Sequence, residues 1–196
     1  KDLKKISILD WEQFSPQFNP QEERFLKITE NPPSLEKKPI HINEIIKNIE
    51  AGTWTIPDFQ RYYRWKKKDV QEFLESIFND HYVGGLLLWD LEGVGKDQCG
   101  MVPVEGSTPE KLKGDFMVLD GQQRITSLHY AINAPKIIEE IKDSHPGYFY
   151  INFGKYFFDP TNEDLETIVA LSRQLSDDES FERLLFPFYK LKTIQK

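Results

Sequence analysis

Short strands alternating with helices predict a domain of the α/β or α+β class, here taken as α+β, and exclude a helical bundle or a β-sandwich. Three observations carry the prediction. Ile42, Ile45, Ile46 and Ile49 recur at helical spacing, and so do Val70, Phe73, Leu74, Ile77 and Phe78. Beyond these stripes lie two compact apolar runs of strand length, Leu86–Trp89 and Phe116–Leu119.

The elements follow in chain order. Residues 1 to 38 are broken by Pro16, Pro20, Pro32 and Pro33 and read as an N-terminal arm with one short helix near Gln21–Ile28. The domain proper then spans residues 39–196. Pro39–Ile42 reads as extended, Asn43 as the cap of the first helix, and Gly52 as its C-terminal stop. Thr53–Ile56 alternates like a strand that Pro57 ends. Asp69 starts the next helix with Glu72 as its capping-box partner, and Gly84-Gly85 breaks the chain before the buried-type strand Leu86–Trp89. Residues 92 to 114, rich in Gly, Lys, Pro and Glu, read as a flexible surface insertion. A buried strand, Phe116–Leu119, leads through Asp120-Gly121 into a helix with Ile125, Leu128 and Ile132 inward, ended by Asn133 and Pro135. Tyr148–Phe153 reads as a strand, and Glu163–Leu171 and Glu179–Leu185 as helices.

Composition narrows the function classes. A 39% hydrophobic share within 196 residues supports a packed domain and argues against wholesale disorder. The net charge of -7 argues against a surface that wraps duplex DNA by charge alone, so any nucleic-acid contact is local. The one concentrated basic run is Arg61-Tyr62-Tyr63-Arg64-Trp65-Lys66-Lys67-Lys68. Cys99 has no second cysteine to pair with, and the four histidines show no ligand spacing, so neither a disulfide scaffold nor a zinc site is expected. No apolar run reaches membrane-spanning length and no signal peptide is visible, which makes the cytoplasm the expected compartment.

The sharpest chemistry lies at residues 116–126. A strand ends on Asp120, Gly121 allows a tight turn, and a helix opens at once, leaving its first N–H groups without intrahelical partners. Those donors and the positive end of the helix dipole suit an anion. Gln122 and Gln123 add amides, Arg124 a planar cation fitted to phosphate, and Thr126 and Ser127 hydroxyls. Asp120 repels phosphate and suits a Mg²⁺ ion bridging phosphates, or the orientation of an attacking water. The same residues also spell an ordinary strand–turn–helix corner in which Asp120 caps the helix.

A second cluster, Ile56-Pro57-Asp58-Phe59-Gln60-Arg61-Tyr62-Tyr63-Arg64-Trp65, occupies the loop before the second helix. Its guanidiniums and aromatics suit phosphate and a stacked base, or else Phe59 and Trp65 plug the core while Arg61 and Arg64 stay solvated. Gly93-Val94-Gly95-Lys96 imitates a P-loop fragment but has Asp90 and Asp97 where the motif needs Gly and Ser or Thr, so it is rejected. His129 reads as packing or surface, and Cys99 lacks a basic partner that would make it a catalytic thiol.

Together, the Ile56–Trp65 cluster and Leu119-Asp120-Gly121-Gln122-Gln123-Arg124-Ile125-Thr126-Ser127-Leu128 resemble the signature of the GmrS-type N-terminal domain of GmrSD modification-dependent restriction endonucleases, in the ParB/sulfiredoxin-like superfamily. The resemblance is strong over roughly residues 40–160. It implies a small mixed β-sheet flanked by helices and a nucleoside triphosphate bound, and hydrolysed with Mg²⁺, at the Asp120–Arg124 turn in service of phage-DNA restriction. Carried over, Asp120 and Gln122–Arg124 match the family's turn, and Gln60 and Arg61 match its Phe-Gln-Arg element. The mechanism expected from these residues takes Asp120 and Arg124 as the catalytic pair, with Asp120 on Mg²⁺. Gly121, Gln122, Gln123, Arg124, Thr126, Gln60 and Arg61 hold the nucleotide, and Tyr62, Tyr63, Arg64 and Trp65 stack the base or touch DNA. Tyr62 departs from the proline common after the Phe-Gln-Arg element, and the His-centred nuclease motif of full-length members is absent, so the chain alone is not expected to cut DNA. Implied partners are a nuclease domain or subunit and modified DNA, and the resemblance is compatible with an oligomer. A nucleotide-gated or modified-DNA-binding sensor without turnover is the rival expectation.

Overall fold

The computed structural model describes residues 40–93, 100–137, 147–159, 161 and 165–193. The N-terminal arm with its Gln21–Ile28 helix, the Gly95-Lys96 pair and Cys99 lie outside the described residues. The unit beginning at Ile40 has mixed α+β content with two small sheets. Its helices are α1 (Ile42–Glu50), α2 (Lys67–Phe78), α3 (Gln122–Ile137), α4 (Phe153–Phe158) and α5 (Asp177–Glu182), followed by a 3₁₀ helix at Phe188–Thr193. Its strands are β1 (Trp54–Pro57), β2 (Leu87–Asp90), β3 (Met101–Val102), β4 (Phe116–Asp120), β5 (Tyr148–Asn152), β6 (Ile168–Leu171) and β7 (Leu185–Pro187).

The first sheet has the order β2-β4-β1-β3. β1 and β4 run parallel, with Trp54 opposite Phe116, while β2 and β3 are antiparallel edges. The second sheet is antiparallel, in the order β6-β5-β7. Two larger cores serve the two sheets, and a smaller cluster of Tyr150, Leu175 and Leu185 lies beside the second sheet. Ile49, Trp54, Ile56, Val104, Val118 and Ile125 pack under the first. Ile46, Val70, Leu74, Leu128, Ile132, Phe149 and Ile151 belong to the second. Helix α3 joins them: Ile125 faces one core and Leu128 and Ile132 the other, each burial contributing about 1.5–3 kcal/mol.

Several expectations need correction. Helix α1 begins at Ile42 with His41, not Asn43, at its N-cap, because the chain is already helical at Asn43. Gly52 does close it, with φ 67. Helix α2 begins at Lys67, and Asp69 sits in its first turn, where its carboxylate accepts the Lys66 N–H at 2.7 Å. Strand β2 is a partly exposed edge, since only β4 pairs with it. The supposed insertion at 92–114 contributes β3 and the fully buried Val104. Helix α3 runs past Asn133 and Pro135 to Ile137, and the buried Asn133 amide donates to the His129 carbonyl one turn back instead of stopping the helix. Residues Ile168–Leu171, expected at the end of a helix, form β6, where they pair with β5. The last predicted helix is shorter, Asp177–Glu182, capped by Ser176 and Glu179, and Leu185 starts β7.

Candidate functional site

Parallel pairing of β1 and β4 brings the two sequence clusters together, because the chain leaves both strands at the same sheet end. The Gln60 amide then fastens the loop after β1 to the end of β4, donating to the carbonyls of Val118 at 3.1 Å and Leu119 at 2.9 Å.

Asp120 is the last residue of β4, and its side chain is 73% exposed. Gly121 follows with φ 98, a conformation that L side chains rarely adopt. A Cβ there would lie 2.3 Å from Leu86 Cδ2 and 3.2 Å from Arg124 Nη2. The first hydrogen bond of α3 runs from the Ile125 N–H to the Gly121 carbonyl at 3.0 Å. The N–H groups of Gln122, Gln123 and Arg124 precede it and form the free end of a long helix. Asp120 does not cap them; its Oδ2 accepts from Arg124 Nη2 at 3.1 Å.

Arg124 is the most constrained side chain of the site. Nη2 also donates to the Gly85 carbonyl, while the buried Nε has no partner among the described residues. The guanidinium occupies the space that side chains at Gly84 and Gly121 would need: a Cβ on Gly84 would meet Nη1 at 2.8 Å. The Gly84-Gly85 pair, read from sequence only as a break, therefore gives this arginine its room.

Gln123 faces the other way. Its Oε1 accepts the N–H groups of Arg64 at 2.8 Å and Trp65 at 3.3 Å, and its Nε2 donates to the Tyr62 carbonyl at 3.4 Å. Both halves of the amide hold the 62–65 loop. Gln122 makes no side-chain hydrogen bond among the described residues, which leaves it as the disengaged amide of the pair. Thr126 is buried, with its hydroxyl unpartnered, and is not offered to solvent. Ser127 donates to the Gln123 carbonyl at 2.7 Å and bonds the Tyr63 hydroxyl at 2.9 Å.

The aromatic cluster divides. Tyr63 and Trp65 pack against the second core, and Trp65 meets Phe73 edge-on at 5.3 Å between centroids. Burial pushes the Tyr63 phenol up to about 12, and its N–H donates to Glu105, a partner that no local sequence signal marks. Both rings are half-buried there. Phe59 and Tyr62 are exposed, as are Arg61 and Arg64, whose guanidiniums are unengaged among the described residues. His129 is buried, and burial lowers it to about 4, so it is neutral packing and not part of the site. No group of three potential metal ligands occurs among the described residues. Asp120 offers a single exposed carboxylate at the turn.

Comparison with known proteins decides the family. The model for the GmrSD restriction endonuclease N-terminal domain matches residues 42–194. This chain belongs to that family. The GmrSD N-terminal domain described here thus comes from a family of restriction-system components. It is similar to an uncharacterized protein of Methanocaldococcus jannaschii, 29% identical over 171 residues that cover 78% of this chain and 29% of that protein. The chain thus spans under a third of the length of that curated relative. No solved structure matches it. No helix among the described residues is long and apolar enough to cross a membrane.

Proposed function

We propose that this GmrSD N-terminal domain binds a nucleoside triphosphate at the head of α3 and hydrolyses it in the service of DNA restriction. The observation that carries the reading is the Asp120–Arg124 turn. It combines uncapped helix N–H groups, a guanidinium lodged among glycines, and an exposed carboxylate, all at the C-terminal end of adjacent parallel strands, where ligands of α/β sheets bind.

In this mechanism the N–H groups of Gln122–Arg124 and the Gln122 amide hold phosphate oxygens. Arg124 gives up its contact with Asp120 for the ligand, and Arg61 and Arg64 add charge from the facing loop. Gln60 and Gln123 keep that loop in place and do not touch the ligand. Asp120 would hold a Mg²⁺ ion, which would supply charge neutralisation to the phosphates. Asp120, released from Arg124, otherwise orients water. The full-length protein's cutting of modified DNA is assigned to a nuclease domain or subunit beyond these residues.

A binding module gated by nucleotide, without turnover, is favoured by one observation: Asp120 belongs to no group of three potential metal ligands among the described residues. The test is thermal stability with Mg²⁺ and ATP, GTP, CTP or UTP, followed by phosphate release. A ligand at 100 times its Kd adds about 2.7 kcal/mol. Stabilisation absent from Arg124→Ala, with release absent from Asp120→Ala, is the expected pattern. Stabilisation without release selects the gated module, and full turnover by Asp120→Ala refutes the assignment of Asp120.

A further inference from the structure

We infer that Tyr82, together with Tyr62, forms a base-stacking clamp over the head of α3, so that the site selects a nucleoside triphosphate over a bare polyphosphate. The inference rests on the phosphate site proposed above and adds its base-reading half.

The two tyrosines are among the most exposed large side chains of the described residues, Tyr82 at 91% and Tyr62 at 85%. Neither phenol has a partner among those residues. Each sits on a loop pinned to the first turn of α3. The Tyr62 loop is held by Gln123 through the Tyr62 carbonyl and the N–H groups of Arg64 and Trp65. The Tyr82 loop, between α2 and β2, is held by Arg124 through the Gly85 carbonyl. Successive residues of an α-helix point about 100° apart around its axis. The two anchoring side chains, Gln123 and Arg124, therefore leave the helix head about 100° apart, and each ties down one of the two loops.

The backbone around Tyr82 is shaped, not slack. Asp80 has φ 56, and the His81 N–H returns to the Ser76 carbonyl at 2.8 Å, which fixes where the loop leaves α2. Gly84, at φ 89, turns the chain back over the guanidinium. Tyr82 thus stands three positions from the carbonyl that touches the phosphate-seeking arginine. A tyrosine ring presents a flat stacking surface with few rotors to freeze, and a nucleobase supplies the matching π-face.

The experiment measures, by calorimetry on the full chain with Mg²⁺, the affinities of inorganic tripolyphosphate and of the nucleoside triphosphate that stabilises the domain most. Tyr82→Ala is expected to weaken the nucleotide about 5- to 100-fold. It should leave tripolyphosphate unchanged, and Tyr82→Phe should restore the nucleotide. Phe181→Ala, which removes another exposed ring, on α5, should change neither. Unchanged nucleotide affinity in Tyr82→Ala, or an equal loss for both ligands, overturns the clamp and leaves the phosphate site standing. Binding of neither ligand by the unmodified chain overturns the phosphate site and the clamp with it. If Tyr82→Ala weakens a single-stranded oligonucleotide but not the nucleotide, the tyrosine serves nucleic acid and the inference is refuted.

Discussion

Gly121→Ala separates two costs that the fold imposes at the centre of the site. The first is conformational: φ 98 is a region from which L residues are nearly excluded, at about 1–3 kcal/mol. The second is steric: the new methyl would lie 2.3 Å from Leu86 Cδ2, the far end of a half-buried side chain that can turn aside, which adds about 0.5–1.5 kcal/mol. Their sum is about 1.5–4.5 kcal/mol. Urea denaturation should show it as a lower midpoint at constant slope. The Leu86→Ala background removes the steric part alone, so the double variant should be less destabilised than the two single losses added together. Gly85→Ala is the matched control, since nothing lies within 4 Å of its Cβ position and its φ is ordinary; a change within about 0.5 kcal/mol is expected. A Gly121→Ala loss no larger than that of Gly85→Ala would refute the reasoning.

Three further outcomes follow from the same contacts. Gln123→Ala removes the acceptor for the Arg64 and Trp65 N–H groups, and a lost bond of about 1–1.5 kcal/mol should speed hydrogen exchange at those amides roughly tenfold. Tyr63→Phe deletes the hydroxyl bonded to Ser127 and should cost about 0.5–1.5 kcal/mol, because Ser127 keeps its bond to the Gln123 carbonyl. His129 titrates at about 4 in the fold against 6.5 unfolded, so between those values the unfolded chain binds more protons. Stability should be fully present above pH 6.5 and fall by up to about 3 kcal/mol as pH drops toward 4. His129→Gln should flatten that part of the profile in urea titrations at successive pH values.

The sequence made visible what depends on neighbours along the chain. The stripes of α1 and α2 appear because helical spacing repeats within a few residues, and the Asp120–Gly121 corner because its turn chemistry is local. β6 was hidden because Ile168–Leu171 follows an acidic stretch that reads as helix, and its strand state depends on β5, a distant partner. β3 was hidden for a related reason: two residues in a Gly- and Pro-rich segment become a strand only against β1. At the site, the residue types were legible but their assignments were not. An amide both donates and accepts, so nothing in the order of letters distinguishes Gln122, left disengaged, from Gln123, committed to a loop 58 to 61 positions away. Tyr63 and Trp65 share a motif with Tyr62 but point into the core, because β1 ends and α2 begins on either side of them and the intervening turn must cover Phe73 and Ser127.

The parallel pairing of β1 and β4 also sets a schedule for synthesis. Thr55 and Phe116, joined across that pair, lie 61 residues apart, and all of α2, β2 and β3 is threaded between them. An emerging polypeptide therefore carries the Gln60–Trp65 loop well before the strand that gives the loop its footing. Until β4 and the first turn of α3 clear the ribosome, the Gln60 amide has no carbonyls to grip, and the Arg64 and Trp65 N–H groups have no acceptor in Gln123. Long-range closure of this sort is slow compared with helix formation. The site thus assembles late and all at once, and a chain truncated before Arg124 would leave the loops of Tyr62 and Tyr82 without their anchors.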